Sequence, residues 1–132
     1  MSVRVLIADD HDIVRVGLKT ILATKPDLQV CGEASDGPET LNKILNLAPD
    51  IVILDVMLPG WTGFFVAVEI RRLAPQTKIV FFSIHDVPRC AQDCGGDAFV
   101  SKTSSARELL ATIQRVAESV GTGNRIDQTS LN

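Results

Sequence analysis

The stretch IVILDVMLPG, residues 51–60, decides the fold. Ile51, Val52, Ile53 and Leu54 form an uninterrupted apolar run that meets one carboxylate, Asp55, before a Pro59-Gly60 turn. A strand with one wet face alternates apolar and polar residues. A strand without that alternation is covered on both faces, as in a parallel sheet between helices. The acid at its tip is either a bland terminus or a reactive group held in place by the core, and the rest of the chain has to decide between the two.

Similar runs occur at VRVLIA (3–8), LQVCGEA (28–34), KIVFFS (78–83) and AFVSK (98–102). Helical spacing fills the gaps. DIVRVGLKTIL (12–22) sets Ile13, Val16, Leu18 and Ile21 at helical intervals. SDGPETLNKILNLAPD (35–50) has Pro38 near its start, Leu41, Ile44, Leu45 and Ala48 on one face, and Pro49 as a stop. TGFFVAVEIRRLAP (62–75) stops the same way at Pro75. SARELLATIQRVAESVG (105–121) opens with Ser105 and Glu108 at capping-box spacing. Its buried stripe is Leu109, Ile113, Val116 and Val120, and Gly121 is the expected C-cap. The rhythm predicts one α/β domain over residues 1–120, with a five-stranded parallel sheet and helices on both faces. GTGNRIDQTSLN (121–132) reads as a tail or the start of a linker.

Composition narrows the function. A chain of 132 residues suits a single core, and 45% hydrophobic with 22% charged residues is the balance of a globular protein. The net charge is −3, and Arg71-Arg72 is the sole adjacent basic pair. With five Phe and one Trp there is no basic stripe interleaved with stacking aromatics, which argues against direct nucleic-acid binding by this segment. MSVRVLIADD is too short an apolar run for a signal peptide, and nothing approaches the roughly 20 apolar residues of a membrane span. The expectation is a cytoplasmic protein with no membrane contact. The odd cysteine count agrees with reduced thiols. Cys90 and Cys94 share a helical spacing and His85 is near in sequence, but a metal site would need further ligands, so plain thiols in or near the core are the preferred reading.

Open α/β sheets bind ligands beyond the carboxyl ends of their strands, where the strand order reverses. The strand ends here carry Asp9-Asp10, Glu33-Ala34, Asp55, Ser83 and Lys102. In a 2-1-3-4-5 order the first and third strands are neighbours, and Asp9, Asp10 and Asp55 converge beside a hydroxyl and an ammonium. Clustered carboxylates must protonate or take a cation. Oxygen-only ligands suit Mg²⁺, and a carboxylate can attack phosphorus to give an aspartyl phosphate. Asp9 and Asp10 would hold the metal, Asp55 would attack, Lys102 would pair with phosphoryl oxygens and Ser83 would donate a hydrogen bond to them. Each residue alone has a plainer reading: Asp10 or Asp12 as a helix cap, Asp55 as the start of a turn. Those readings fail to explain the whole set at successive strand ends.

LIADDH (6–11), ILDVMLPGWTG (53–63), FFSIHD (81–86) and DAFVSK (97–102) together resemble the receiver domain of two-component response regulators over about residues 3–120. The resemblance implies a flavodoxin-like (βα)5 fold and phosphorylation of Asp55 by a sensor histidine kinase with Mg²⁺. It implies the Met57 main-chain carbonyl as a further metal ligand, Ser83 as a switch residue that swings towards the phosphoryl group, and Phe99 as the rotating aromatic of the switch. Phe99 as plain core remains an open alternative. DDHDIVRVGLKTIL (9–22) is closest to the NarL-type subfamily, whose receivers usually precede a LuxR-type helix-turn-helix DNA-binding domain. None lies within these residues, so DNA would be reached only through an output domain not in this chain. The chain reads as a fragment ending in the linker or as a stand-alone receiver, with the fragment preferred.

Two features depart from the family pattern. The interval from Ser83 to Lys102 is close to one helical turn short, which predicts a stunted fourth helix over Val87 to Asp93, with Pro88 at its start and Gly95-Gly96 after it. Trp61 follows Asp55 on an expected loop, where it would meet a partner or cover the site. The leading expectation is a phosphoacceptor switch rather than an enzyme, controlling transcription. The alternatives are a degenerate receiver that acts by binding alone and a haloacid-dehalogenase-type phosphatase. The phosphatase pattern has a second Asp two residues after the nucleophile, where this chain has Met57. Nucleotide-binding enzymes are disfavoured, since no G-x-G-x-x-G or P-loop pattern occurs. A homodimer is expected through the first or fifth helix, or through the face of the fourth helix, fifth strand and fifth helix.

Overall fold

The computed structural model describes residues 2–85 and 88–131, and at Pro88 and over 121–131 it describes the backbone. The elements run β1 (Val3–Ala8), α1 (Asp12–Leu22), β2 (Leu28–Ala34), α2 (Gly37–Leu47), β3 (Ile51–Leu54), β4 (Met57–Leu58), β5 (Trp61–Thr62), α3 (Gly63–Leu73), β6 (Lys78–Ser83), α4 (Pro88–Asp93), β7 (Ala98–Ser101) and α5 (Ala106–Leu131). The main sheet has the order β2-β1-β3-β6-β7, and every pairing in it is parallel. Counted over these strands alone it is the expected 2-1-3-4-5 order. β4 and β5 form a separate antiparallel hairpin across Pro59-Gly60, with Gly60 at φ +76°. That φ suits a residue without a Cβ.

The unalternating strands serve two cores. Leu6, Val52, Leu54, Ile79 and Phe81 point to one face, where they meet Ile44 of α2, Val66, Ala67 and Ile70 of α3 and Ala91 of α4. Val5, Ile7, Ile51, Ile53 and Val80 point to the other, against Leu18 and Leu22 of α1 and Leu109, Ile113 and Val116 of α5. Each buried Leu, Ile or Phe contributes about 1.5–3 kcal/mol by leaving water. β1 and β2 run in register to the pair Val5–Val30 and resume at Leu6–Gly32, so Cys31 is left without a partner.

The helix ends follow local chemistry. Asp36 caps α2 by accepting the Glu39 N–H at 2.8 Å. Its C-cap, Ala48, turns left-handed at φ 46°, because Pro49 disfavours a helical conformation in the residue before it. Thr62 caps α3, and Ser105 accepts the Glu108 N–H at the start of α5. α4 spans six residues, the stunting expected, and Val87 lies outside the described residues. Gly121 does not end α5, as the sequence suggested, but lies within it. A helix-interior Gly costs only about 1 kcal/mol and no Pro follows to stop the turn. Trp61 lies half-buried across the first turn of α2, where a Cβ on Gly37 would come within 2.4 Å of its ring. Among the described residues, no helix is long and apolar enough to cross a membrane.

Gly63 ties the hairpin to the tip of β3. A Cβ there would lie 2.1 Å from the Asp55 carbonyl oxygen and 2.9 Å from Val56 Cα. Both are backbone atoms that cannot swing aside. Gly63→Ala is therefore expected to cost about 1–3 kcal/mol or more through overpacking. The check is a lower urea midpoint at unchanged slope. An unchanged midpoint would show that the β3 tip is free to move.

Candidate functional site

The sheet register delivers the acids. Ala8 of β1 stands beside Leu54 of β3. The ladder then runs one residue past each strand, with the Asp55 N–H donating to the Ala8 carbonyl and the Asp9 N–H to the Ala34 carbonyl, both at 3.0 Å. At the other side Ser83 pairs with Ser101, and the Lys102 N–H donates to the Ser83 carbonyl at 2.8 Å. Asp9, Asp10, Asp55 and His11 each offer an atom within 4.8 Å of the others. Asp9 is 2% exposed and Asp55 4%. Lys102 Nζ sits 2.7 Å from Asp9 Oδ2 and 3.1 Å from Asp55 Oδ2. Asp55 Oδ1 accepts the Met57 N–H at 3.2 Å, and Asp9 Oδ1 accepts the His11 N–H at 2.9 Å.

The N-cap of α1 is His11, with no side-chain cap, and Asp12 is the first helical residue. Neither Asp10 nor Asp12 is therefore the N-cap, and the plainer reading of those two acids falls away. His11 is a member of the cluster that the sequence reading did not single out. Its Nδ1 lies 3.2 Å from Asp9 Oδ1 and 3.1 Å from Asp10 Oδ1. Its signal was adjacency to the Asp-Asp pair in LIADDH, which by itself points to no role.

Burial pushes the Asp55 carboxyl above its usual range, and the charge of Asp9 adds to it. The Met57 N–H and Lys102 work in the opposite sense without cancelling it. Burial also works against the Lys102 charge, but hydrogen bonding and attraction to Asp9 and Asp55 outweigh it and raise its pKa. The ammonium is thus held charged. Asp9 Oδ2 is buried, and its close partner is the Lys102 ammonium, 2.7 Å away. Three carboxylates against one ammonium leave excess negative charge where their oxygens lie within 4.8 Å of one another. That oxygen-rich donor set could hold a hard divalent cation.

The remaining sequence-predicted residues surround this cluster unevenly. Met57 is exposed and, with Ile13, Val14, Ile84 and His85, lines a cleft of about 280 Å³ whose polar members include Asp55 and Lys102. Ser83 is fully buried at the end of β6, and its Oγ accepts the His85 N–H at 3.1 Å. It is not among the side chains lining the cleft. Phe99 stands on β7 opposite Phe81 and packs half-buried against the core on the α2–α4 side.

The raised pKa of Asp55 has a stability consequence with a definite sign. The folded state holds that proton more tightly than the unfolded chain. Ionisation of Asp55 therefore costs stability as pH rises from the ordinary carboxylate range through the raised value. Asp55→Asn removes that cost. In metal-free buffer the variant should melt higher than the parent at pH 7, with the gap closing towards pH 4. A variant that melts lower at pH 7 would show that the Lys102 contact outweighs desolvation.

Residues 5–114 match the Response regulator receiver domain family. The response regulator protein VraR of Staphylococcus epidermidis is 33% identical over 122 residues, 89% of this chain and 58% of that protein. The chain thus spans little more than half the length of this curated relative. A LuxR-family two-component response regulator from an Aurantimonas species superposes with a TM-score of 0.84 at 28% identity, over 100% of both chains. A CheY-like receiver domain protein of Methanospirillum hungatei, at 24% identity, shares the fold with a TM-score of 0.85 over 93% of this chain and 99% of its own. The strand order, the acids at the switch point and the match over most of the sequence agree: this chain belongs to the response regulator receiver domain family, and its relatives include LuxR-family regulators and a NarL receiver domain.

Proposed function

We propose that the chain is a phosphoacceptor switch in which Asp55 takes a phosphoryl group from a sensor histidine kinase, with Mg²⁺ held by Asp9, Asp10, Asp55 and the Met57 main-chain carbonyl. The observation that carries this reading is a buried Asp55, 3.1 Å from Lys102 Nζ and clustered with two further acids at the strand ends. An Asp55 carboxylate oxygen forms a bond to phosphorus while the bond from phosphorus to the kinase imidazole breaks. The imidazole nitrogen keeps that electron pair and is protonated from solvent. Lys102 turns its ammonium to the phosphoryl oxygens. Ser83 Oγ, which accepts from the His85 N–H, keeps its own proton to donate to a phosphoryl oxygen. Bound Mg²⁺ would supply the positive charge that offsets the carboxylates and the incoming oxygens.

In this reading the chain is a stoichiometric acceptor and not an enzyme with turnover. Ser83 and Phe99 carry the change to the output face. The output is transcription regulation through a DNA-binding domain outside this chain, in keeping with relatives of the LuxR family. The cytoplasm is the expected setting, and three free cysteines support it. A homodimer is part of the reading, and light scattering with and without a phosphoryl mimic tests it: a single monomer mass in both states would exclude it.

The six-residue α4 favours a second reading, a degenerate receiver that works through binding alone. Intact mass after incubation with Mg²⁺ and acetyl phosphate separates the two. One added phosphoryl group in the parent and none in Asp55→Asn is the expected result. No gain in the parent, with Mg²⁺ binding shown by calorimetry, would move the function to the second reading.

A further inference from the structure

Arg15 lies on α1 behind the acids, and its side chain is 15% exposed. Its guanidinium reaches three segments at once. Nη1 donates to the Asp9 main-chain carbonyl at 2.6 Å, Nε donates to Glu33 Oε1 at 3.2 Å, and Nη2 pairs with the Asp12 carboxylate. Glu33 is steadied in turn by Lys19 Nζ, 2.9 Å from its Oε2. The fork therefore joins the end of β1, the end of β2 and the first turn of α1.

The Asp9 carbonyl belongs to the peptide that links Asp9 to Asp10. The neighbouring peptide is fixed through the Asp9 N–H, which donates to Ala34. With Arg15 on the carbonyl, the chain is held on both sides of the Asp9 Cα. Asp10 depends on this more than Asp9 does. Its side chain is 32% exposed, and its ion-pair partner among the described residues is the His11 ring. The plane of the peptide that carries Asp10 sets where its side chain starts from.

We propose that Arg15 is a positioning residue for the divalent cation. It sets the Asp9–Asp10 peptide plane so that both carboxylates face one ion. This rests on reading the acid cluster as a cation site. Charge alone predicts the opposite effect. A guanidinium close to the cluster repels a divalent cation, so neutralising it should tighten binding. Positioning predicts that binding weakens. The sign of the change therefore separates the two accounts, which a loss of stability would not.

The test is Mg²⁺ titration by isothermal calorimetry of the full chain, Arg15→Gln and Arg15→Lys, with folding at the titration temperature checked by circular dichroism. Loss of a residue that orients metal ligands typically weakens affinity about 10-fold or more, and that is the expected result for Arg15→Gln. Arg15→Lys keeps the charge but cannot span three acceptors, so it should also bind more weakly. Equal or tighter binding by folded Arg15→Gln overturns the proposal. If that variant does not fold, Arg15→Lys decides by the same criterion. A parent chain that binds no Mg²⁺ overturns the cation site itself, an outcome visible before any variant is measured.

Discussion

The contact between Lys102 and two buried carboxylates holds the functional end of the sheet together. Its ammonium lies 2.7 Å from Asp9 and 3.1 Å from Asp55, in a site where both acids are almost wholly out of water. Breaking a buried ion pair by removing one partner typically costs about 3–5 kcal/mol, because the orphaned charge stays behind. Here one cation serves acids from two strands, so its loss would strand both. The contact also spans the sheet, since Lys102 follows β7 while the acids follow β1 and β3. Those ends meet only because every pairing between them is parallel and ends at the same level. The site is thus a property of the whole sheet and not of one loop.

Much of this was legible in the sequence. Strands showed as unalternating runs because each is covered on both faces, as Leu54 and Ile53 show by joining opposite cores. The acids, Ser83 and Lys102 were legible because they stand where such runs stop. What escaped is what periodicity does not encode. The β4–β5 hairpin is two residues a side, too short for any period. The continuation of α5 past Gly121 was masked by a residue that usually ends helices but is only mildly costly within one. Trp61 looked like a loop aromatic near the site, yet its ring found Gly37, a contact set by the close approach of two distant segments. Arg15 was not singled out in the sequence, since nothing in its spacing says that its fork meets a main-chain carbonyl.

The stunted α4 raises the question of how the fold tolerates a missing turn. Arg71 on α3 supplies an answer. It donates to the carbonyls of Pro75, Thr77 and Gly95 and to the Asp97 carboxylate, and Asp97 in turn accepts the Ile79 N–H at 2.8 Å. The chain leaving α4 is therefore tied to α3 and to the start of β6 by hydrogen bonds that do not depend on helix length. Gly96 lies directly against the Phe81 ring, with no room for a Cβ. Hydrogen bonds and close packing replace the turn that the sequence lacks.

The unpaired Cys31 in β2 has a consequence for the arithmetic of the whole edge strand. Side chains on a strand alternate between faces, so one extra residue reverses the parity of everything beyond it. Before Cys31 the even-numbered Leu28 and Val30 point to the α1–α5 side. After it the even-numbered Gly32 and Ala34 point to the α2 side, and the odd-numbered Glu33 takes the place opposite Ile7, facing α1. Glu33 is beside Arg15 for that reason alone. A single unpaired residue at the far edge of the sheet thus decides which layer receives a carboxylate, and through it how the chain around the acids is braced.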